Sequence, residues 1–138
     1  MGVAANLSYD NLEFKTNNMA ALRDHMIERI LNEIRGSNLN GSLVVRSANN
    51  VNVRFDGIRG DQLVILLDMN GVCCSTGSAC NNGEPLPSHV LTAIGLTPEE
   101  ANSSVRFTLT EDTTMDDIDL TVDYLKNCVD QLRMIANE

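Results

Sequence analysis

At 138 residues, with 43% hydrophobic and 21% charged side chains, the chain is long enough to bury one core of its own. Its formal charge of −9 argues against a nucleic-acid surface, which normally carries a basic patch. No apolar run approaches the ~20 residues of a bilayer span, and the N-terminus lacks the charged-then-apolar pattern of a secretory signal. The resulting expectation is a cytoplasmic protein with no nucleic-acid or membrane partner, whose four cysteines stay reduced.

The first segment, Gly2 to Phe14, shows no clean period and reads as a frayed helix or the remnant of a longer element. Asn17-Asn18 offers a helix cap, after which Met19, Leu22, Met26, Ile27, Ile30, Leu31 and Ile34 recur at helical spacing until Gly36. His25 falls off that stripe beside Asp24 and reads as a surface histidine. Leu39 to Ser47 is a connection with room for a short strand at Leu43-Val44-Val45. Val51, Val53 and Phe55 alternate with Asn50, Asn52 and Arg54, the period-two pattern of a half-buried strand. Leu63 to Met69 fits a helix packed on a sheet, and Asn70-Gly71 is a turn dipeptide.

Val72 to Ser75 reads as a strand that buries Cys73 and Cys74. The next stretch, Thr76 to Pro87, is small, polar and rich in glycine and proline, which a core strand cannot use. Cys80 is therefore expected on a mobile loop, available for chemistry that buried thiols are denied. Beyond it, Ser88 to Ile94 is a short helix, and Thr97-Pro98-Glu99-Glu100 is a capping box with proline at the first helical position. Val105, Phe107 and Leu109 alternate with Ser104, Arg106 and Thr108 in a second strand. Thr114 caps a final helix whose stripe is Ile118, Val122, Leu125, Val129 and Leu132, with Cys128 beside it. Irregularly mixed helices and short strands predict an α+β fold, a small mainly antiparallel sheet with helices packed on one side.

Three chemistries compete for the cysteines. Zinc wants paired ligands at C-x-x-C spacing, which Cys73, Cys74 and Cys80 lack, with His89 the sole nearby imidazole. A disulfide from Cys80 to Cys73 or Cys74 is unusual in a reducing compartment. A nucleophilic Cys80 is the third, and the sequence beside it carries no positive charge to activate it. Arg106 on its strand reads either as a solvated face residue or as a bidentate clamp on a carboxylate.

Several motifs then point the same way. Cys74-Ser75-Thr76-Gly77-Ser78-Ala79-Cys80, Leu86-Pro87-Ser88-His89-Val90-Leu91 and Ser103-Ser104-Val105-Arg106-Phe107-Thr108-Leu109 resemble the C-terminal portion of cysteine desulfurases. The resemblance is to the NifS/IscS group of class-V aminotransferase-like, pyridoxal-phosphate enzymes. Asn49 to Phe55 resembles that group's N-x-x-N-V-S-F strand, with Arg54 where serine is usual, and Thr113 to Ile118 resembles its last helix start. The similarity is specific from Leu39 to Met134.

The resemblance implies the small C-terminal domain of a fold-type I pyridoxal-phosphate enzyme over residues 37–138, with residues 1–36 as a helical link from a larger domain. It implies that Cys80 takes sulfur from L-cysteine as a persulfide for iron–sulfur cluster assembly or another sulfur-transfer pathway, and that Arg106 anchors the substrate carboxylate. The group's Schiff-base lysine, stacking histidine and pyridine-nitrogen aspartate belong to the large domain. The two lysines here, Lys15 and Lys126, lie in no such motif. The expectation is a chain that binds no cofactor alone and is inactive alone. Its expected partners are a pyridoxal-phosphate domain and a sulfur-acceptor or scaffold protein, with a homodimer compatible. A stand-alone persulfide carrier and a non-catalytic interaction domain are the alternatives.

Overall fold

The computed structural model describes residues 2, 3, 9, 11–77 and 87–136. In chain order the described elements are α1 (Leu12–Glu33), β1 (Ser37–Leu39), β2 (Asn50–Phe55), α2 (Gly60–Met69), α3 (His89–Ala93), α4 (Pro98–Asn102), β3 (Ser104–Thr108) and α5 (Met115–Ala136). The strands form an antiparallel sheet of order β1-β2-β3, which is the α+β arrangement expected. None of the described helices is long and apolar enough to cross a membrane.

The core lies on one face of this sheet. Val51, Val53 and Phe55 of β2 and Val105 and Phe107 of β3 point into it, because alternate side chains of a strand share a face. Leu22, Met26, Ile27 and Ile30 of α1, Leu63 and Leu67 of α2, and Ile118, Val122, Leu125, Cys128 and Val129 of α5 close over them. The two long helices are also tied at their surface. Arg29 of α1 bonds Glu33 along its own helix and reaches Asp119 and Asp123 of α5, and His25 Nε2 lies 2.9 Å from Asp119 Oδ1. His25 is therefore a half-exposed contact between helices.

Three local expectations change. The first helix does not begin at Asn17-Asn18 but runs through them from Leu12. Both asparagines are exposed, and their modest helix penalty is outweighed by the buried stripe downstream. Leu43-Val44-Val45 is no strand. The Ser42 hydroxyl accepts from the backbone N–H groups of Val44 and Val45 at 3.2 and 3.0 Å, offering the backbone a turn instead of a ladder. The three apolar side chains are left exposed, and the strand sits earlier, at Ser37–Leu39. The third change, at Val72 to Ser75, belongs to the site.

Two capping boxes hold the helix starts that flank β3. Glu100 N–H donates to Thr97 Oγ1 at 3.2 Å while the Glu100 carboxylate accepts from Thr97 N–H at 2.8 Å. Thr114 and Asp117 exchange the equivalent bonds at the start of α5. Gly60 lets α2 begin against the α4–β3 corner. A Cβ there would stand 2.8 Å from Ser104 O and 2.9 Å from Asn102 O, too close for any other residue.

Candidate functional site

The segment after α2 lies along the outer edge of β3. Ser75 and Arg106 exchange both backbone hydrogen bonds, at 3.1 and 2.7 Å, and form an isolated bridge outside the named strands. The expected strand burying both Cys73 and Cys74 is thereby corrected. Extended backbone alternates sides, so Val72 and Cys74 pack against the core while Cys73 faces out and is exposed. Burial pushes the Cys74 thiol up to about 11, and burial also raises that of Cys128 inside the core. Neither is a ready nucleophile.

Cys80, expected on a mobile loop, lies outside the described residues, but Gly77 and Ser88 on either side of it in the chain are inside them. Gly77 adopts a left-handed φ of 57°, and a Cβ on it would meet the Ser88 Cβ at 3.2 Å. The chain therefore leaves at Gly77 and returns at Ser88, against the same spot. Thr76, Gly77 and Ser88 line one wall of an open cavity of about 1010 Å³, whose other walls include Arg59, Gln62, Glu99 and Glu100. His89 opens α3 and is exposed.

Arg106 stands on the face of the sheet opposite the core. It is half-buried, and among the described residues its guanidinium has no hydrogen-bond or ion-pair partner. Its strand neighbour is Asn52, directly across on β2. Phe55 N–H bonds Ser103 O and Leu109 N–H bonds Asn49 O, which fixes the alternation of the ladder. Asn52/Arg106 and Arg54/Ser104 are then the non-hydrogen-bonded pairs, where Cα atoms approach to about 4.5 Å and side chains lie close.

Sequence patterns left the surroundings of Arg106 unread. Asn40, 4% exposed, donates from Nδ2 to Asn52 Oδ1 at 2.7 Å and to Ser104 Oγ at 2.9 Å. Ser104 Oγ in turn donates to Glu100 O at 2.7 Å. Arg54 approaches Asn40 Oδ1 at 3.4 Å and Glu100 Oε1 at 3.5 Å, both long, and its Nε is buried without an acceptor. Period-two alternation alone would have put Asn52, Arg54 and Arg106 on one face. Asn40 follows a strand too short for that signal to reach.

A pyridoxal-phosphate centre needs a lysine held in a lined cavity. Lys15 is ion-paired with Glu111 at 2.6 Å, and Lys126 is exposed on α5. The residues present do not fit that cofactor.

Known proteins resemble this chain in both sequence and fold. The model of the class-V aminotransferase family matches residues 1–121. The cysteine desulfurase IscS of Methanosarcina thermophila is 40% identical over 136 residues, 99% of this chain and 33% of that protein. An IscS-like cysteine desulfurase of Mycobacterium tuberculosis is 39% identical over 137 residues, 99% of this chain and 35% of its own. A NifS-like protein of Rickettsia africae superposes with a TM-score of 0.80 at 26% identity, over 94% of this chain and 33% of that one. The chain thus spans about a third of the length of the curated relatives it matches. It belongs to the class-V aminotransferase family.

Proposed function

We propose that this chain is the sulfur-accepting and carboxylate-binding part of a cysteine desulfurase, corresponding to the small C-terminal domain of that enzyme. One observation carries the reading. Arg106, a guanidinium with no partner among the described residues, is bonded through its backbone to Ser75, five residues before Cys80 in the chain. A cation able to grip a carboxylate in two places is therefore fixed to the stretch of chain that leads to Cys80. The relatives named cysteine desulfurase support the assignment at the level of family.

In this reading Arg106 holds the carboxylate of L-cysteine and Cys80 receives its sulfur. The carbon–sulfur bond is broken by a pyridoxal-phosphate domain that the chain must meet, and the product passes to a sulfur acceptor. The part this chain plays alone is transfer between thiols. The Cys80 thiol attacks the outer sulfur of a donor persulfide, the donor leaves as its thiol, and Cys80 becomes the persulfide.

The test charges an intact cysteine desulfurase with L-cysteine, removes free substrate, and adds this chain as acceptor. Mass mapping should find one added sulfur on the Cys80 peptide, sensitive to reductant and absent from Cys80→Ser. Sulfur on Cys73 instead, or on no cysteine, would overturn the role of Cys80. The second result would favour a non-catalytic interaction domain.

A further inference from the structure

The hydrogen bonds on the polar face of the sheet have a forced direction. Ser104 Oγ spends its one proton on Glu100 O, so it can only accept from Asn40. Asn40 must therefore present Nδ2 to Ser104, and that same NH2 group is 2.7 Å from Asn52 Oδ1. Its own Oδ1 is then turned to the Arg54 guanidinium, which has only protons to offer. Each link agrees with the next, and the orientation of the Asn52 amide is settled by them. Its oxygen is occupied by Asn40, and its Nδ2 protons have no acceptor among the described residues.

Those protons sit beside Arg106. Asn52 and Arg106 are partners in a non-hydrogen-bonded pair of an antiparallel ladder, the closer of the two kinds. The pair thus gathers one amide donor and one guanidinium, both half-buried and both without an acceptor among the described residues. Neither donor is sealed off at a cost to stability, since Arg54 Nε is the one fully buried side-chain donor left unmet among the described residues, so both stay open to water or to an anion that displaces it.

We infer that Asn52 is a second substrate-contacting residue, donating from Nδ2 to the carboxylate that Arg106 grips, with Asn40 as the positioning residue that sets its amide. The inference rests on the proposed role of Arg106 as a carboxylate anchor. Two donors from adjacent strands fix the plane of a carboxylate as well as its place, which a lone arginine on a long stem cannot do. Arg54 adds positive charge to the same face and braces Asn40 through its Oδ1.

The test uses the full chain labelled with nitrogen-15 and titrated with S-methyl-L-cysteine, a carboxylate with no free thiol. The Asn52 side-chain amide and the Arg106 Nε–H signal should move along one saturation curve. S-methylcysteamine, which lacks only the carboxylate, should move neither. Asn52→Ala should weaken the binding about tenfold, as for loss of a hydrogen bond to a charged group. Asn52→Asp should abolish it by placing a rival carboxylate opposite Arg106. A moving Arg106 signal with a stationary Asn52 amide would overturn this inference and leave the proposed function standing. If Arg106 itself does not respond, the carboxylate reading fails and this inference with it. Because the wild-type titration decides between these outcomes, poor folding of either variant does not obscure them.

Discussion

The two faces of one small sheet are built to opposite rules. Val51, Val53, Phe55, Val105 and Phe107 on the core face are sealed against three helices. Asn52, Arg54, Ser104 and Arg106 on the other face belong to a hydrogen-bonding surface that stops short of completion. The first face gains stability by excluding water and needs only volume and shape. The second is organised by direction, and direction leaves donors over. Residues that hold the fold and residues proposed to meet a ligand are thus one position apart along the same strands.

The largest expected effect comes from emptying the core face. Phe55 is fully buried beneath the helices, and Phe55→Ala should cost about 3–5 kcal/mol. That is a large fraction of the stability of an ordinary domain, about 5–15 kcal/mol. Urea unfolding monitored by circular dichroism measures it, and a loss below about 1 kcal/mol would mean the core has been misplaced.

Thiol chemistry sharpens the comparison next. Alternation puts Cys73 on the open side of the segment beside β3 and Cys74 on the core side. With its thiol raised to about 11, Cys74 should alkylate about a hundredfold more slowly near pH 8 than Cys73, which faces solvent. Brief iodoacetamide treatment and peptide mapping give the order. Equal rates would show that the alternation does not hold along the segment that ends at Ser75.

These cases also show how much the sequence disclosed. Strong periods were legible: the β2 and β3 alternation, the α5 stripe and the Thr97 capping box all emerged where expected. Short apolar runs were not. Leu43-Val44-Val45 looks like a strand until Ser42 captures its backbone, and Cys73-Cys74 looks uniformly buried until an extended chain turns one thiol outward. Arg106 could be placed on the outward face by pattern. Asn40, which bonds the strand partner of Arg106, could not, because its contact with Asn52 depends on the pairing of β1 with β2.

On the polar face, Asn40 should be the costliest single loss. Asn40→Ala leaves Ser104, Asn52 and Arg54 each short of a partner, for about 2 kcal/mol by the usual penalty for buried unmet groups. Unfolding by urea reports the cost, and the Asn52 side-chain amide signal should broaden or shift as its anchor is lost. A stable variant with an unchanged amide would mean the network does not orient Asn52.

Acid should weaken this face through Glu100. Glu100 is held below the ordinary carboxylate range by the Thr97 backbone N–H first, then the Thr97 hydroxyl and the charge of Arg54. A carboxyl lowered in the folded state stabilises the fold above its unfolded value, and that contribution fades as pH falls through the lowered one. Stability should therefore decline as pH drops below about 4, and Glu100→Gln should make the decline shallower. Urea midpoints of both proteins from pH 6 to pH 3 test the sign. A steeper decline in the variant would refute it.

The smallest effect on stability is expected at the residue assigned the largest role. Arg106 contributes its backbone to the Ser75 bridge, but among the described residues its guanidinium bonds to nothing. Arg106→Gln keeps the strand and much of the stem, so its urea midpoint should correspond to a change within about 0.5 kcal/mol. Replacing a charged fork by a neutral amide should nevertheless abolish the S-methyl-L-cysteine response at Asn52, because the dominant attraction for the carboxylate is gone. A large loss of stability would show that the guanidinium is a structural strut with a partner in the intact fold. Unchanged binding would show that the carboxylate is held elsewhere. Only the combination of an intact fold and a lost ligand separates a face kept open for a substrate from one that is merely polar.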